Sequence, residues 1–199
     1  MVFAAASNVN VAIISPVVVY GVGPSIEHPL PLTIPDLMNA VDSMKSGWTI
    51  GSGHNISGYV HVLDIARLYV LLVSKALTPS SFVQESDVWG PKAYYFASSE
   101  ELSFQDYMTS IVEVLRKRNF LQTNQMQHID VNRAANATGA STTTHPADSW
   151  AKHIAILFGC NTRVRSTRAH KLGWKPEEPG VKETIEEVIN MYLENVATI

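Results

Sequence analysis

The sequence has one cysteine, no surplus of basic charge and no apolar run of membrane-spanning length. Cys160 alone cannot form an intramolecular disulfide, which fits a reducing compartment. Fifteen basic side chains against eighteen acidic ones give a formal net charge of -3. No basic field for a nucleic-acid partner arises from that balance. The most apolar stretch, Val11 to Tyr20, is interrupted by Ser15-Pro16 and is too short to cross a bilayer. Met1 to Ser7 carry no basic residue, so no secretory signal is expected, and a soluble cytoplasmic protein is. What remains is globular in balance, 46% hydrophobic and 17% charged. At 199 residues it is long enough for a core without staples.

Periodicity gives a mixed order of elements. Val9 to Ile14 is a non-alternating apolar run, expected as a strand covered on both faces. Pro24, Pro29, Pro31 and Pro35 predict a long loop, and a helix is expected only from Asp36 to Lys45, ended by Gly47. Trp48–Ile50 and Tyr59–Val62 read as short strands. Asp64 is expected to N-cap a helix to about Leu77 that is apolar almost all round and therefore buried. Ala93–Ala97 reads as a strand. Ser103 is expected to cap a helix with Phe104, Tyr107, Met108, Ile111 and Leu115 on one stripe. Asn132 to Thr144 reads as a surface loop and Pro146 to Phe158 as a helix. Val181, Ile185, Val188, Ile189, Tyr192 and Val196 predict an amphipathic helix.

Three pieces carry a family resemblance when taken in order. Ala12 to Gly21 ends a buried strand in Pro16 and a Tyr20-Gly21 pair. Tyr59-Val60-His61-Val62-Leu63-Asp64-Ile65-Ala66 is similar to a Val-His-Val-Asp-Asp-Val-Ala stretch, with Leu63 replacing the first aspartate. Lys171-Leu172-Gly173-Trp174-Lys175-Pro176 is similar to a Leu-Gly-Trp-x-Pro signature before a last helix. Together they resemble the substrate-side, C-terminal half of the NAD-dependent epimerase/dehydratase family, the extended short-chain dehydrogenases/reductases. The resemblance implies an α/β fold: a partial doubly wound, Rossmann-like sheet remnant with a mainly helical substrate lobe. It implies a single incomplete domain, with a last Rossmann strand and loop over residues 1–35 and the substrate lobe over 36–199.

Complete members of that family hold NAD(P) on a glycine-rich turn that opens a helix. Gly21-Val22-Gly23 and Gly51-Ser52-Gly53 do neither and read as turns. Nor does any of the seven tyrosines precede a lysine by four residues, the pair the family uses for proton transfer. No cofactor is therefore expected for this chain alone, and the family's own motif would lie before Met1. The resemblance gives Pro16, Val17, Val18 and Val19 as cofactor-pocket lining if the other half is supplied; otherwise they are a strand end.

His54, His61 and Asp64 are candidate acid–base residues, because imidazole titrates near neutrality and a carboxylate can orient it. The alternative is structural: a loop histidine, a strand end and a helix cap. Their spacing matches no metal motif, and no metal is expected. Tyr20, Asn55, Ser57 and Tyr59 are candidates for binding a polar substrate, with ordinary loop and strand roles as the alternative. Arg163 offers a planar fork for a carboxylate or phosphate, whereas Arg165 and Arg168 read as a solvated cluster. Cys160 reads as a small buried hydrophobe. Three functions stay open: a truncated epimerase/dehydratase/reductase-like protein without redox activity of its own, a small-molecule-binding or interaction module, and a cofactor-independent isomerase of secondary metabolism. A homodimer or partner chain is expected to cover the unfinished sheet.

Overall fold

The computed structural model describes residues 9–77, 88–138, 153 and 156–197. Three small sheets organise it. Strand β1 (Ile13–Pro16) pairs in parallel with β5 (Tyr94–Ala97), Ile13 opposite Tyr94 and Pro16 opposite Ala97. Strand β2 (Val18–Tyr20) runs parallel to β4 (Ile56–His61), which is antiparallel to β6 (Glu100–Ser103). Strand β3 (Gly47–Ile50) runs parallel to β7 (Met126–Ile129).

Two cores lie on either side of the β2–β4 layer, because alternate residues of a strand face opposite ways. Val18, Tyr20 and Tyr59 face the larger core, built from α1 (Thr33–Met44), α3 (Phe104–Lys117), α4 (Val131–Ala137) and α6 (Val181–Ala197). Val17, Val19 and Val60 face the smaller one, made with β1, β5, α2 (Val62–Leu77) and α5 (Thr167–Leu172).

Several expectations hold. Ser103 accepts the N–H of Asp106 at 3.0 Å as the N-cap of α3, and all five residues of the expected stripe are buried. In α6, Val181, Ile185, Val188 and Ile189 are buried, while Val196 stands out in solvent. The remaining expectations need correction. Strand β1 begins at Ile13 and is only half-buried, because α2 and α5 cover one face of the β1–β5 pair and leave Tyr94 and Phe96 exposed on the other. Helix α1 starts at Thr33, before Pro35. A proline in the first turn removes an N–H that has no helical acceptor anyway. That helix ends at Lys45, with φ of 50°, rather than at Gly47. Gly47 opens β3, where a Cβ would meet Met126 Sδ at 2.2 Å.

Helix α2 begins at Val62, so Asp64 sits inside its first turn and is not its cap. Nor is the helix buried all round. Leu68 and Leu72 face the smaller core, while Tyr69, Val70, Val73 and Leu77 are exposed. Residues 131–137 are helical, not loop, because Asp130 caps them by accepting from the N–H of Asn132 and of Arg133. The rest of that expected loop from residue 139, and much of the expected 146–158 helix, lie outside the described residues; positions 156–158 are helical.

Candidate functional site

Strands β1 and β5 end together at Pro16 and Ala97, and the chain leaves β5 through a turn at Ser98-Ser99 into the start of β6. The segment Thr162–Ser166 lies against that turn. Thr162 accepts the N–H of Gly58 and donates its own to Ile56, extending the β4 edge. Ser166, almost wholly buried, accepts the Ser98 N–H at 2.8 Å and donates to the Ser98 carbonyl at 2.9 Å. Between the two walls is a cavity of about 460 Å³, lined among others by Ser98, Ser99, Glu101, Arg163, Arg165 and His170.

Most hydroxyls here are already engaged: Ser99 Oγ donates to the Tyr59 carbonyl at 3.0 Å. The groups able to meet a ligand are the cations and His170. Arg163 donates from Nε and Nη2 to one oxygen of Glu101, at 3.0 and 2.7 Å. This pairing holds the Glu101 carboxyl below its ordinary range, helped by the charge of Arg165. His170 Nδ1 lies 3.0 Å from the Trp174 carbonyl. A carbonyl only accepts, so Nδ1 carries a hydrogen and donates it.

Of the sequence candidates, Arg163 alone lines this cavity. Asn55 donates to the carbonyls of Phe158 and Cys160, at 3.3 and 3.2 Å, and so holds chain rather than ligand. Ser57 is buried beside Thr162, and Tyr59 is buried against Tyr107 with ring centroids 5.3 Å apart. Desolvation pushes the Tyr59 phenol well above its usual range. Tyr20 is buried too and donates to the Pro179 carbonyl at 3.0 Å. Pro16 to Val19 run from the end of β1 through β2, and Val17 packs near Gly58 and Ser98.

The three acid–base candidates do not converge. His54 is exposed in the turn before β4, and His61 ends that strand, seven residues on and ~20 Å away at strand rise. His61 is buried, and its Nδ1 accepts the Leu63 N–H at 3.2 Å. Burial lowers its pKa and favours the neutral ring, against the opposing pull of Glu178 and Asp64. Asp64 is fully buried and saturated. It accepts the N–H of Glu177 and Glu178, at 2.8 and 3.3 Å, and a donor of Arg67 at 2.8 Å. Its role is to dock the 174–178 segment onto the start of α2.

Two other readings change. Cys160 is exposed rather than buried. Arg168 is half-buried over the Tyr95 ring, 5.5 Å from the centroid, whereas Arg165 is exposed as expected. Sequence reasoning missed Glu101, Ser166 and His170. None belongs to a spacing motif, and only the pairing of β6 with β4 brings Glu101 to Arg163. Among the described residues no three His, Cys, Asp or Glu side chains stand together to hold a metal ion, and no helix is long and apolar enough to cross a membrane.

No protein-family model matches the chain, and no curated protein matches it by sequence. Solved structures do match in fold. The UDP-N-acetylglucosamine 4-epimerase from Methanobrevibacter ruminantium M1, in complex with UDP-N-acetylmuramic acid, is 15% identical with a TM-score of 0.56; the match covers 98% of this chain and 49% of that one. A human epimerase family protein with NADPH is 14% identical with a TM-score of 0.55, over 90% of this chain and 48% of that one. The UDP-glucuronic acid 4-epimerase from Bacillus cereus, with UDP-glucuronic acid and NAD, is 13% identical with a TM-score of 0.51, over 91% and 45%. The chain thus spans about half the length of these neighbours, and at such identities the likeness is one of fold: a Rossmann-like α/β architecture shared with NAD-dependent epimerases and dehydratases.

Proposed function

We propose that these residues form the substrate-side part of an NAD(P)-dependent epimerase/dehydratase-like protein and hold a small anionic ligand of the sugar-nucleotide kind beside Arg163. One observation carries the reading. The cavity with Arg163 and Arg165 lies just past the carboxyl ends of the parallel strands β1 and β5, where open α/β sheets place their ligands. In this reading residues 1–35 supply the last Rossmann strand and loop, and 36–199 the substrate lobe.

Hydride transfer is not expected of these residues by themselves. They contain no tyrosine–lysine pair at four-residue spacing and no glycine-rich turn opening a helix. Pro16 to Val19 would flank a dinucleotide only where further chain holds its pyrophosphate. The isomerase reading loses its support, since His54 stands apart from His61 and Asp64 is consumed in docking. An interaction role is favoured by the exposed Tyr94 and Phe96 on the face of β5 turned away from the smaller core.

Calorimetric titration with UDP-glucuronic acid and, separately, NADPH tests the proposal. Binding of the sugar nucleotide, lost in Arg163→Ala, is the expected result. Tight NADPH binding without any sugar-nucleotide binding would overturn it.

A further inference from the structure

Glu101 already occupies the guanidinium that the proposed ligand needs. In register it lies opposite Gly58 on one edge of β4, while Thr162, the neighbour of Arg163, bonds to Gly58 on the other. The two side chains thus come from the strands on either side of Gly58, whose own Cβ position faces Ser98 and Val17. Glu101 presents one oxygen to both Nε and Nη2, the approach that a free oxyanion would make. Both partners stay accessible, with side-chain exposures of 34% for Glu101 and 58% for Arg163, so exchange needs no unfolding.

We propose that Glu101 is the specificity-determining residue of this cavity, a tethered carboxylate that yields Arg163 to a phosphoryl group but not to a monocarboxylate or a neutral sugar. This rests on the ligand-binding reading above. A tethered group competes at a high effective concentration. A free monocarboxylate offers Arg163 nothing that Glu101 does not, and so loses the competition. A phosphoryl group brings more negative charge and more acceptor oxygens. Arg165, on the same wall, is placed to meet them. A neutral sugar cannot replace the ionic pairing at all. The cavity is thereby closed to sugar acids and open to phosphorylated or diphosphate-linked ligands.

The experiment is titration of the full chain with inorganic pyrophosphate, glucuronate and glucose, for wild type, Arg163→Ala, Glu101→Gln and Glu113→Gln. Glu113 is an exposed carboxylate on α3 away from this cavity and controls for the change in net charge. The wild type binds pyrophosphate alone, and Arg163→Ala loses it. In Glu101→Gln pyrophosphate binds about two- to five-fold tighter, the range set by an exposed ion pair, and glucuronate rises by the same factor toward detection. The Arg163 Nε–H resonance, followed by NMR, moves on adding pyrophosphate to wild type and starts from a shifted position in Glu101→Gln. If Glu101→Gln tracks Glu113→Gln and leaves glucuronate unchanged, the role of Glu101 is refuted while the ligand site stands. If pyrophosphate and UDP-glucuronic acid bind neither the wild type nor Glu101→Gln, the site itself is refuted, and this inference with it.

Discussion

The carboxylate of Asp64 accepts the backbone N–H of Glu177 at 2.8 Å, across 113 residues of sequence. The Trp174 indole N–H completes the joint by donating to the Asp64 carbonyl at 2.8 Å. A buried carboxylate is tolerated here because two amides and Arg67 satisfy it. Asp64→Asn keeps the shape but loses the charge-assisted bonds, and is expected to cost about 1.5–3 kcal/mol of stability. Urea denaturation reads this directly. Ligand binding at Arg163 should persist in the folded fraction, and an unchanged midpoint would show that the joint carries no stability.

Two glycines with positive φ should behave differently. Gly21, at φ 84°, has the His61 ring where its Cβ would be, with Nε2 only 1.9 Å away. Gly173, at φ 104°, has nothing within 4 Å. Gly173→Ala therefore carries backbone strain alone, about 1 kcal/mol. Gly21→Ala must also expel a buried imidazole and is expected to cost several times more, or to prevent folding. Thermal melts of the pair check the order, and equal losses would contradict it.

His61 sets a pH dependence. Its pKa is lowered in the folded protein by burial, while Asp64, Glu178 and Glu187 oppose that shift and Arg67 adds to it. Between the lowered value and the ordinary value of about 6.5, the unfolded chain binds the extra proton. Stability from this residue is therefore complete above that ordinary value and falls as pH drops through the window. His61→Gln should flatten the slope of stability against pH there. Denaturation midpoints at several pH values compare the two proteins.

The fold was legible where local chemistry decides it. The Ser103 cap and the apolar spacing of α3 and α6 need no distant partner. Asp64 could not be read, because an aspartate before an apolar helix looks like a cap and its true partners arrive 113 residues later. Glu101 was hidden for a related reason. It sits on a four-residue strand with little apolar alternation, and pairing with β4, not sequence, delivers it to Arg163. The face of α2 bearing Val70 and Val73 carried a misleading signal: an apolar surface specifies burial only where something packs on it.

Self-association is the expected behaviour of the purified chain at tens of micromolar. Tyr94 and Phe96, 45% and 40% exposed, lie on the face of β5 turned away from the smaller core. Tyr94→Lys with Phe96→Lys should lower both scattering intensity and hydrophobic-dye binding, since neither side chain belongs to the smaller core. A wild type that is monomeric and dye-negative would remove the need for a covering surface.

Tyr20 and Pro179 are bonded across 159 residues, and the last helix completes the core that the first strands begin. On a ribosome this has a consequence in time. At roughly 5–20 residues per second, about 8–30 s separate the synthesis of the two partners. Through that interval Tyr20 lacks its Pro179 partner and the core lacks α6. Closure of the larger core is therefore expected to wait for residues 181–197 rather than for the pairing of the early strands.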